Sequence, residues 1–177
     1  MYWATPPFGA PADRALDVAV RLLAGPGGWL TKQFVDGGGP ALAIDAREST
    51  LHRGSVFSVE VVPSERAGLA RLLLDVQGAM NTFASHVTPP DVDTAKQWLR
   101  EHRVLGLEAS SARAARLAAE GSWGLDDYDA VDAPAVADAV RRYLDPLGRV
   151  TMVVRRRASP LPMGVLGVLT HRERMAK

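Results

Sequence analysis

The residues that come nearest to a metal-binding pattern lie in WLREH, residues 98–102. An inverted zinc-peptidase motif reads His-x-x-Glu-His, in which two histidines one helical turn apart hold zinc and the glutamate activates a water molecule. Here Trp98 stands where the first histidine would be, so Glu101 and His102 supply only one base and one ligand. We interpret the segment as an exposed Glu-His pair on a helix.

Four aspartates close together raise the question of a calcium site: Asp126, Asp127, Asp129 and Asp132. The cluster has neither the regularly spaced oxygens nor the terminal glutamate of a known calcium loop. Helix capping and a solvated turn explain it better. The serines lack a Gly-x-Ser-x-Gly elbow, and no two of the four histidines are three or four residues apart. The sequence therefore predicts no catalytic residue and no metal ligand set in this chain.

Residues 25–45 contain six glycines and two prolines. A phosphate-binding loop would need a buried strand, then glycines, then a lysine and a serine or threonine that open a helix. Here the first three glycines follow a helix-like run, and Gly-Lys-Ser/Thr occurs nowhere in the chain. The second three, Gly37, Gly38 and Gly39, lead through Pro40 into an apolar segment. This pattern predicts a turn that feeds a strand.

Composition narrows the class of protein. A chain of 177 residues with 47% hydrophobic content suits one domain with a real core. The net charge of +1 argues against nucleic-acid binding, and 18 arginines against 3 lysines indicate a GC-rich genome. The absence of cysteine excludes disulfides and thiolate chemistry.

The longest apolar run, residues 160–169, is too short to span a bilayer, and the N-terminus lacks the pattern of a secretory signal. We expect a soluble protein and leave its compartment open.

Hydrophobic periodicity predicts the element order β-α-(α)-β-β-α-α-α-β. Strands are expected over 1–6, 42–47, 55–62 and 149–155, and helices over 11–24, 29–35, 64–85, 88–102 and 109–121, with a last helix capped by Asp132 or a neighbour. Thr88 is the expected N-cap of its helix, with Pro89 in the first position. This order favours an α+β fold, a mainly antiparallel sheet with helices packed on one face. We assign one domain to 1–156 and a C-terminal tail or linker to 157–177.

Several segments, in order, resemble one domain of the insulinase/pitrilysin family of zinc peptidases, which includes mitochondrial processing peptidase. They are ALDVAVRLLAGPGGWLTKQF, RGSVFSVEVVPSE, VTPPDVDTAKQWLREHRVLGLEASSARAARLAAEG and YDAVDAPAVADAVRRYLDPLGRVTMVV. The resemblance covers residues 1 to about 156 and is to the C-terminal type of domain. It implies a domain that pairs with homologous domains around a peptide substrate, with zinc on the His-x-x-Glu-His helix of only one of them.

The resemblance also indicates which positions would lie near a substrate. The helix that would correspond to the zinc helix, ALDVAVRLLAG, has no histidine or glutamate. Family members grip the substrate backbone with an arginine and, seven residues later, a tyrosine. An ungapped alignment places Val35 and Leu42 there, and neither side chain can hydrogen-bond. The substrate-proximal positions implied are therefore Val35, Gly37, Gly38, Gly39 and Leu42, of which the glycines shape the turn into the sheet.

These observations lead to a non-catalytic domain or subunit of a zinc-peptidase-like protein. It would help to form a peptide-binding chamber with a homologous, zinc-bearing partner domain or subunit, and it would need no cofactor of its own. The alternative is a free-standing protein- or peptide-binding module that no longer takes part in proteolysis; an enzyme with unrecognised chemistry is a third hypothesis. We also expect a homodimer or heterodimer, because Trp3, Phe8, Trp29 and the stretch 161–169 could form an exposed apolar face.

Overall fold

The computed structural model describes residues 1–49, 53–65, 67–106 and 128–154. These residues form an α+β fold, as predicted. The strands are β1 (Tyr2–Thr5), β2 (Ala41–Ser49) and β3 (Ser55–Pro63), and the helices are α1 (Asp13–Ala24), α2 (Trp29–Phe34), α3 (Leu69–Phe83), α4 (Pro89–Gly106) and α5 (Ala133–Tyr143). A short 3-10 turn follows at Pro146–Gly148. The helix predicted over 109–121 and the tail from 157 lie outside the described residues.

The three strands form one antiparallel sheet in the order β1-β3-β2. In the middle of the sheet Trp3 pairs with Phe57, and Ala46 pairs with Val59. A register shift between Ala41 and Ala43 disturbs the start of the β2–β3 ladder. Strand β3 is therefore the central strand, and β2 is an edge strand among the described residues.

The predicted closing strand over 149–155 is wrong in extent. Only Val150 pairs, in an isolated antiparallel bridge to Tyr2, and residues 151–154 continue without strand pairing. The alternating apolar pattern of Val150, Met152 and Val154 is typical of a strand. A segment forms ladder hydrogen bonds only where a neighbouring strand lies beside it, however, and Val150 pairs with Tyr2, the first residue of β1.

One face of the sheet carries the core. Alternate residues of the strands point to the same face, and Trp3, Phe57 and Val59 are almost fully buried there with Leu16 and Leu23 of α1. The rings of Trp3 and Phe57 meet edge to face, with centroids 6.2 Å apart. Trp3 is only 2% exposed, so it closes the domain's own core. Its expected place on an outer apolar face is wrong.

The helix ends follow from local chemistry, as the sequence indicated. Asp132 is the N-cap of α5, and its carboxylate accepts a hydrogen bond from the amide of Ala135 at 2.8 Å. Before α4, the hydroxyl of Thr88 donates to the carboxylate of Asp91 at 2.5 Å and lies 3.5 Å from the amide of Asp91. Helix α1 ends at Ala24, and Gly25 is its C-cap with an extended backbone. No helix among the described residues has both the length and the hydropathy of a membrane span.

Candidate functional site

The glycine turn between α2 and β2 contains the substrate-proximal positions implied by the resemblance. Gly37 and Gly38 have φ angles of +67° and +79°, a region that side chains other than glycine rarely adopt. At Gly39 the reason for glycine is close packing, since a Cβ would overlap the carbonyl oxygen of Phe34. The turn thus reverses the chain tightly and delivers it to the edge of the sheet.

The two flanking positions lie on either side of this turn. Val35 is the C-cap of α2, and its carbonyl accepts a hydrogen bond from the amide of Gly39 at 3.3 Å. Leu42 lies at the irregular start of β2 and is 64% exposed. The closeness of both residues to a substrate stays a prediction.

The free edge of β2 presents backbone groups at regular spacing. Met1 exchanges two hydrogen bonds with Val59, so odd-numbered residues of β3 bond towards β1 and even-numbered residues bond towards β2. The register then directs the amides of Asp45 and Arg47 inward to β3. The amides of Ile44 and Ala46 point to the open edge. An extended polypeptide could add there as a further strand without any special side chain.

The histidine of WLREH is held within its own helix. The rings of Trp98 and His102 stack with centroids 3.5 Å apart, and Nδ1 of His102 lies 3.1 Å from the carbonyl oxygen of Trp98. Glu101 accepts a hydrogen bond from Gln97 at 3.0 Å. Among the residues that the structure describes, no group of three histidine, cysteine, aspartate or glutamate side chains is arranged to hold a metal ion.

The aspartate cluster near residue 130 is structural where it is described. Asp129 forms an ion pair with Arg100 on α4, and the carbonyl oxygen of Asp129 accepts a hydrogen bond from Lys96 at 3.3 Å. Asp132 caps α5. These bonds fasten the start of α5 to α4, which agrees with the capping and turn interpretation. Asp126 and Asp127 lie outside the described residues.

A buried polar cluster beneath α1 was missed from the sequence. One carboxylate oxygen of Glu48 accepts a hydrogen bond from the hydroxyl of Thr5 at 2.9 Å. The other is buried and has no hydrogen-bond partner in the part of the chain that the structure describes. Burial raises the pKa of Glu48 to about 8; the Thr5 hydroxyl opposes that shift, and Asp17 adds to it. A neutral carboxyl group is therefore the stable form of Glu48 at pH 7.

The rest of this cluster ties the start of α1 to more distant segments. Asp13 is fully buried and accepts a hydrogen bond from the amide of Gly9 at 3.2 Å. Asp17 accepts hydrogen bonds from Arg14 at 3.2 Å and from the hydroxyl of Tyr128 at 3.0 Å. The sequence did contain a signal for this cluster: Glu48 is two residues after buried Ala46 on β2, so its side chain points to the same, core-facing side of the strand. That α1 lies over Glu48 follows from how the helix crosses the sheet, which the sequence pattern does not show.

Known structures share the fold of this chain, although no family model and no curated protein sequence matches it. The inactive peptidase domain of a proposed zinc protease from Bordetella parapertussis aligns with a TM-score of 0.74 and 18% identity, over 90% of this chain and 92% of its own. The inactive domain of a peptidase M16 from Pseudomonas fluorescens aligns with a TM-score of 0.62 and 17% identity, over 81% of this chain. The chain has the fold of an M16 peptidase domain.

The alignments span very different shares of the matched proteins. A protease from Helicobacter pylori aligns with a TM-score of 0.72 and 20% identity over 83% of this chain, but the match spans only 38% of the protease. It spans 37% of the Pseudomonas fluorescens protein. The described fold is thus one part of those longer proteins and nearly the whole of the Bordetella domain. The likeness that the sequence motifs indicated is confirmed in the fold.

Proposed function

We propose that the chain is a non-catalytic domain of a zinc-peptidase-like protein and forms part of the wall of a peptide-binding chamber. The zinc would be held by a homologous partner domain or subunit. The observation that carries the proposal is the exposed edge of β2 in a fold shared with inactive peptidase domains. No other described strand pairs with the amides and carbonyls of that edge, which lies beside the glycine turn. The α1 helix of the same domain bears neither histidine nor glutamate.

The outer face of the sheet suits a chamber wall. The face turned away from the helices carries Ala4, Ala43, Arg47 and Glu60, all exposed. The same face also carries the exposed apolar side chains of Val56 and Val62, so it offers both charged and apolar contacts to varied peptide side chains. Backbone pairing at an edge supplies affinity with little sequence selection. A domain of this kind can hold a peptide while another domain supplies the chemistry.

Residue-resolved amide exchange tests this proposal on the full chain. In the free protein, the amides of Ile44 and Ala46 should exchange much faster than those of Asp45 and Arg47, since only the latter pair bond to β3. A ten-residue unstructured peptide of alternating apolar and polar residues should slow exchange at Ile44 and Ala46 by at least about tenfold at saturation. A peptide that binds elsewhere and leaves both amides fast would contradict the proposal.

A further inference from the structure

A pocket of about 310 Å³ lies where the end of α1 meets the end of α3 and the start of α4. We call it the helix-end pocket. Its lining residues come only from 21–32 and 83–95, which are continuous stretches of described chain. An apolar cavity of about 150 Å³ holds a benzene molecule. The helix-end pocket therefore has room for a ligand of about ten non-hydrogen atoms.

Arg21, in the last turn of α1, lines this pocket with most of its hydrogen-bonding capacity unused. A guanidinium group has five N–H donors, and the one hydrogen bond found for Arg21 in the described chain runs from Nη2 to the carbonyl oxygen of Pro26 at 3.1 Å. The guanidinium carbon lies 5.0 Å from the centre of the Trp98 ring. Burial lowers the pKa of Arg21, which indicates that water solvates its charge incompletely. An acceptor supplied by a ligand would offset that cost.

Lys32 brings a second positive charge to the same pocket. The guanidinium of Arg21 lies where a Cβ at Gly25 would be, and Cε of Lys32 lies 3.7 Å from where a Cβ at Gly27 would be. Both cations therefore lie against the corner formed by residues 25–28. Neither forms an ion pair with a carboxylate in the described part of the chain. Like charges that share a pocket repel each other, and an anion between them would relieve that repulsion.

One carboxylate also lines the pocket, and it limits the charge that a ligand can carry. Asp91 accepts a hydrogen bond from the hydroxyl of Thr88 at 2.5 Å. The lysine, the arginine and this aspartate together leave the lining with an excess of one positive charge. A monoanion balances that excess. A dianion would be repelled by the Asp91 carboxylate.

The rest of the lining is largely apolar and aromatic. Phe83 is almost fully buried, and Val87 is partly buried next to the core. The rings of Trp29 and His86 lie with their centroids 4.0 Å apart, and Nε1 of Trp29 donates to the carbonyl oxygen of Ala79 at 3.2 Å. Rings that are held in this way offer a flat surface on which an aromatic group can pack.

We infer that the helix-end pocket binds a small aromatic carboxylate. The carboxylate lies at the corner 25–28 and accepts charge-assisted hydrogen bonds from Arg21 and Lys32. The ring packs on Phe83 and against the paired rings at the mouth of the pocket. No residue of β2 lines this pocket, so the inference does not rest on the chamber-wall proposal.

Charge and shape favour this ligand over others. An inorganic anion would meet the two cations but leave the apolar part of the lining in contact with water. A neutral aromatic compound would cover the apolar part and leave the cations without a counter-charge. An extended peptide pairs with the free edge of a strand, and none of the described residues that line the pocket belongs to a strand.

Titration of the isotope-labelled 177-residue chain, followed by its amide chemical shifts, tests the inference. The probe is 3-phenylpropionate, and we expect a Kd of about 0.1–1 mM, with the largest shifts at Gly27, Gly28 and Lys32 and none at Ile44 on β2. The uncharged 3-phenylpropanamide and inorganic phosphate should each bind at least about fivefold more weakly. The inference is overturned if no saturable shift appears up to about 10 mM, or if the amide or phosphate binds as tightly as the acid.

Substitutions of the two cations locate the site. Arg21→Met should weaken binding of 3-phenylpropionate by about tenfold, and Lys32→Gln by at least about threefold. Arg71→Gln is the matched control, because Arg71 is 82% exposed on α3 and does not line the pocket, and its Kd should be unchanged. Lys32 is exposed, so its variant keeps the test valid even if Arg21→Met fails to fold. Full affinity of Lys32→Gln, or shifts of the unmodified chain confined to β2, would show that the acid binds elsewhere and contradict the inference.

Discussion

The two ends of the sheet differ in which kind of side chain is buried and which is exposed. At the end under α1, Thr5 and Glu48 are bonded to each other beneath the helix, and Asp17 holds Tyr128 nearby. At the other end, apolar side chains of β3, α3 and residues 151–154 line an open cleft. Polar groups are therefore buried where the fold is closed, and apolar groups are exposed where it is open, the reverse of the usual distribution.

The two ends should contribute differently to the stability of the fold. A buried polar network constrains the segments that it joins, because each bond lost leaves a costly unsatisfied group. Exposed apolar side chains at the mouth of a cleft contribute little to the stability of the chain. Substitutions of the buried polar residues at the closed end should therefore change the free energy of unfolding more than substitutions of the exposed residues of the cleft.

The largest effect is expected where β2 begins, next to the open end. Gly39→Ala should lower the free energy of unfolding by about 2–4 kcal/mol, because its Cβ would overlap the carbonyl oxygen of Phe34. Gly38→Ala should lower it by only about 1 kcal/mol, since it meets no atom within 4 Å but has a φ of +79°. Urea titration measures both. Equal losses would mean that the contact between the new Cβ and Phe34 relaxes at little cost, and that close packing is not what requires Gly39.

Glu48→Gln should stabilise the protein at neutral pH. The folded-state pKa of about 8 lies above the ordinary 4.5, so folding is most favoured below pH 4.5 and loses stability as the pH rises to about 8. Glutamine has no charge to bury, and the gain should grow from near zero at pH 4.5 to about 1–2 kcal/mol at pH 8.

Urea titrations at pH 5, 7 and 8.5 measure this gain. Asp45→Asn is the matched control, because Asp45 lies on the same strand in an exposed ion pair with Arg47, 2.5 Å apart. Its effect should stay within about 0.5 kcal/mol throughout. If the stability of the Glu48→Gln variant falls with pH as steeply as that of the unmodified chain, Glu48 is not the titrating group.

Tyr128→Phe removes the hydroxyl that donates to Asp17 at the closed end. We expect a loss of about 1–1.5 kcal/mol, because the bond ends on a carboxylate and Tyr128 is buried. Tyr143→Phe is the control: no hydrogen bond of its hydroxyl is found in the described part of the chain, and its loss should stay under about 0.5 kcal/mol. Similar losses for the two tyrosines would argue against a stabilising network.

The smallest effect on stability should come from the open end. Met152→Asp should change the free energy of unfolding by no more than about 0.5 kcal/mol, as at other exposed positions. Thermal unfolding of this variant beside Leu74→Asp, at an equally exposed leucine on α3, checks the expectation. A loss of several kcal/mol would mean that Met152 is part of the core in solution, and the contrast between the two ends would fail.

Local pattern predicted most of the fold and only part of the sites. Alternation identified β3, and caps at Thr88 and Asp132 placed the starts of α4 and α5, because these signals act within a few residues. The burial of Glu48 and the exposure of Met152 depend on which strands become neighbours and in which register they pair. Those choices join segments far apart in the chain, and no short pattern carries them.

The most direct test of the central claim, that this domain is non-catalytic, is zinc content measured together with peptidase activity on the full chain. After dialysis against buffer without chelator, we expect less than about 0.1 zinc per chain and no cleavage of unstructured peptides with added zinc, since no helix among the described residues carries two histidines one turn apart. About one zinc per chain, with cleavage that a chelator abolishes, would contradict the account.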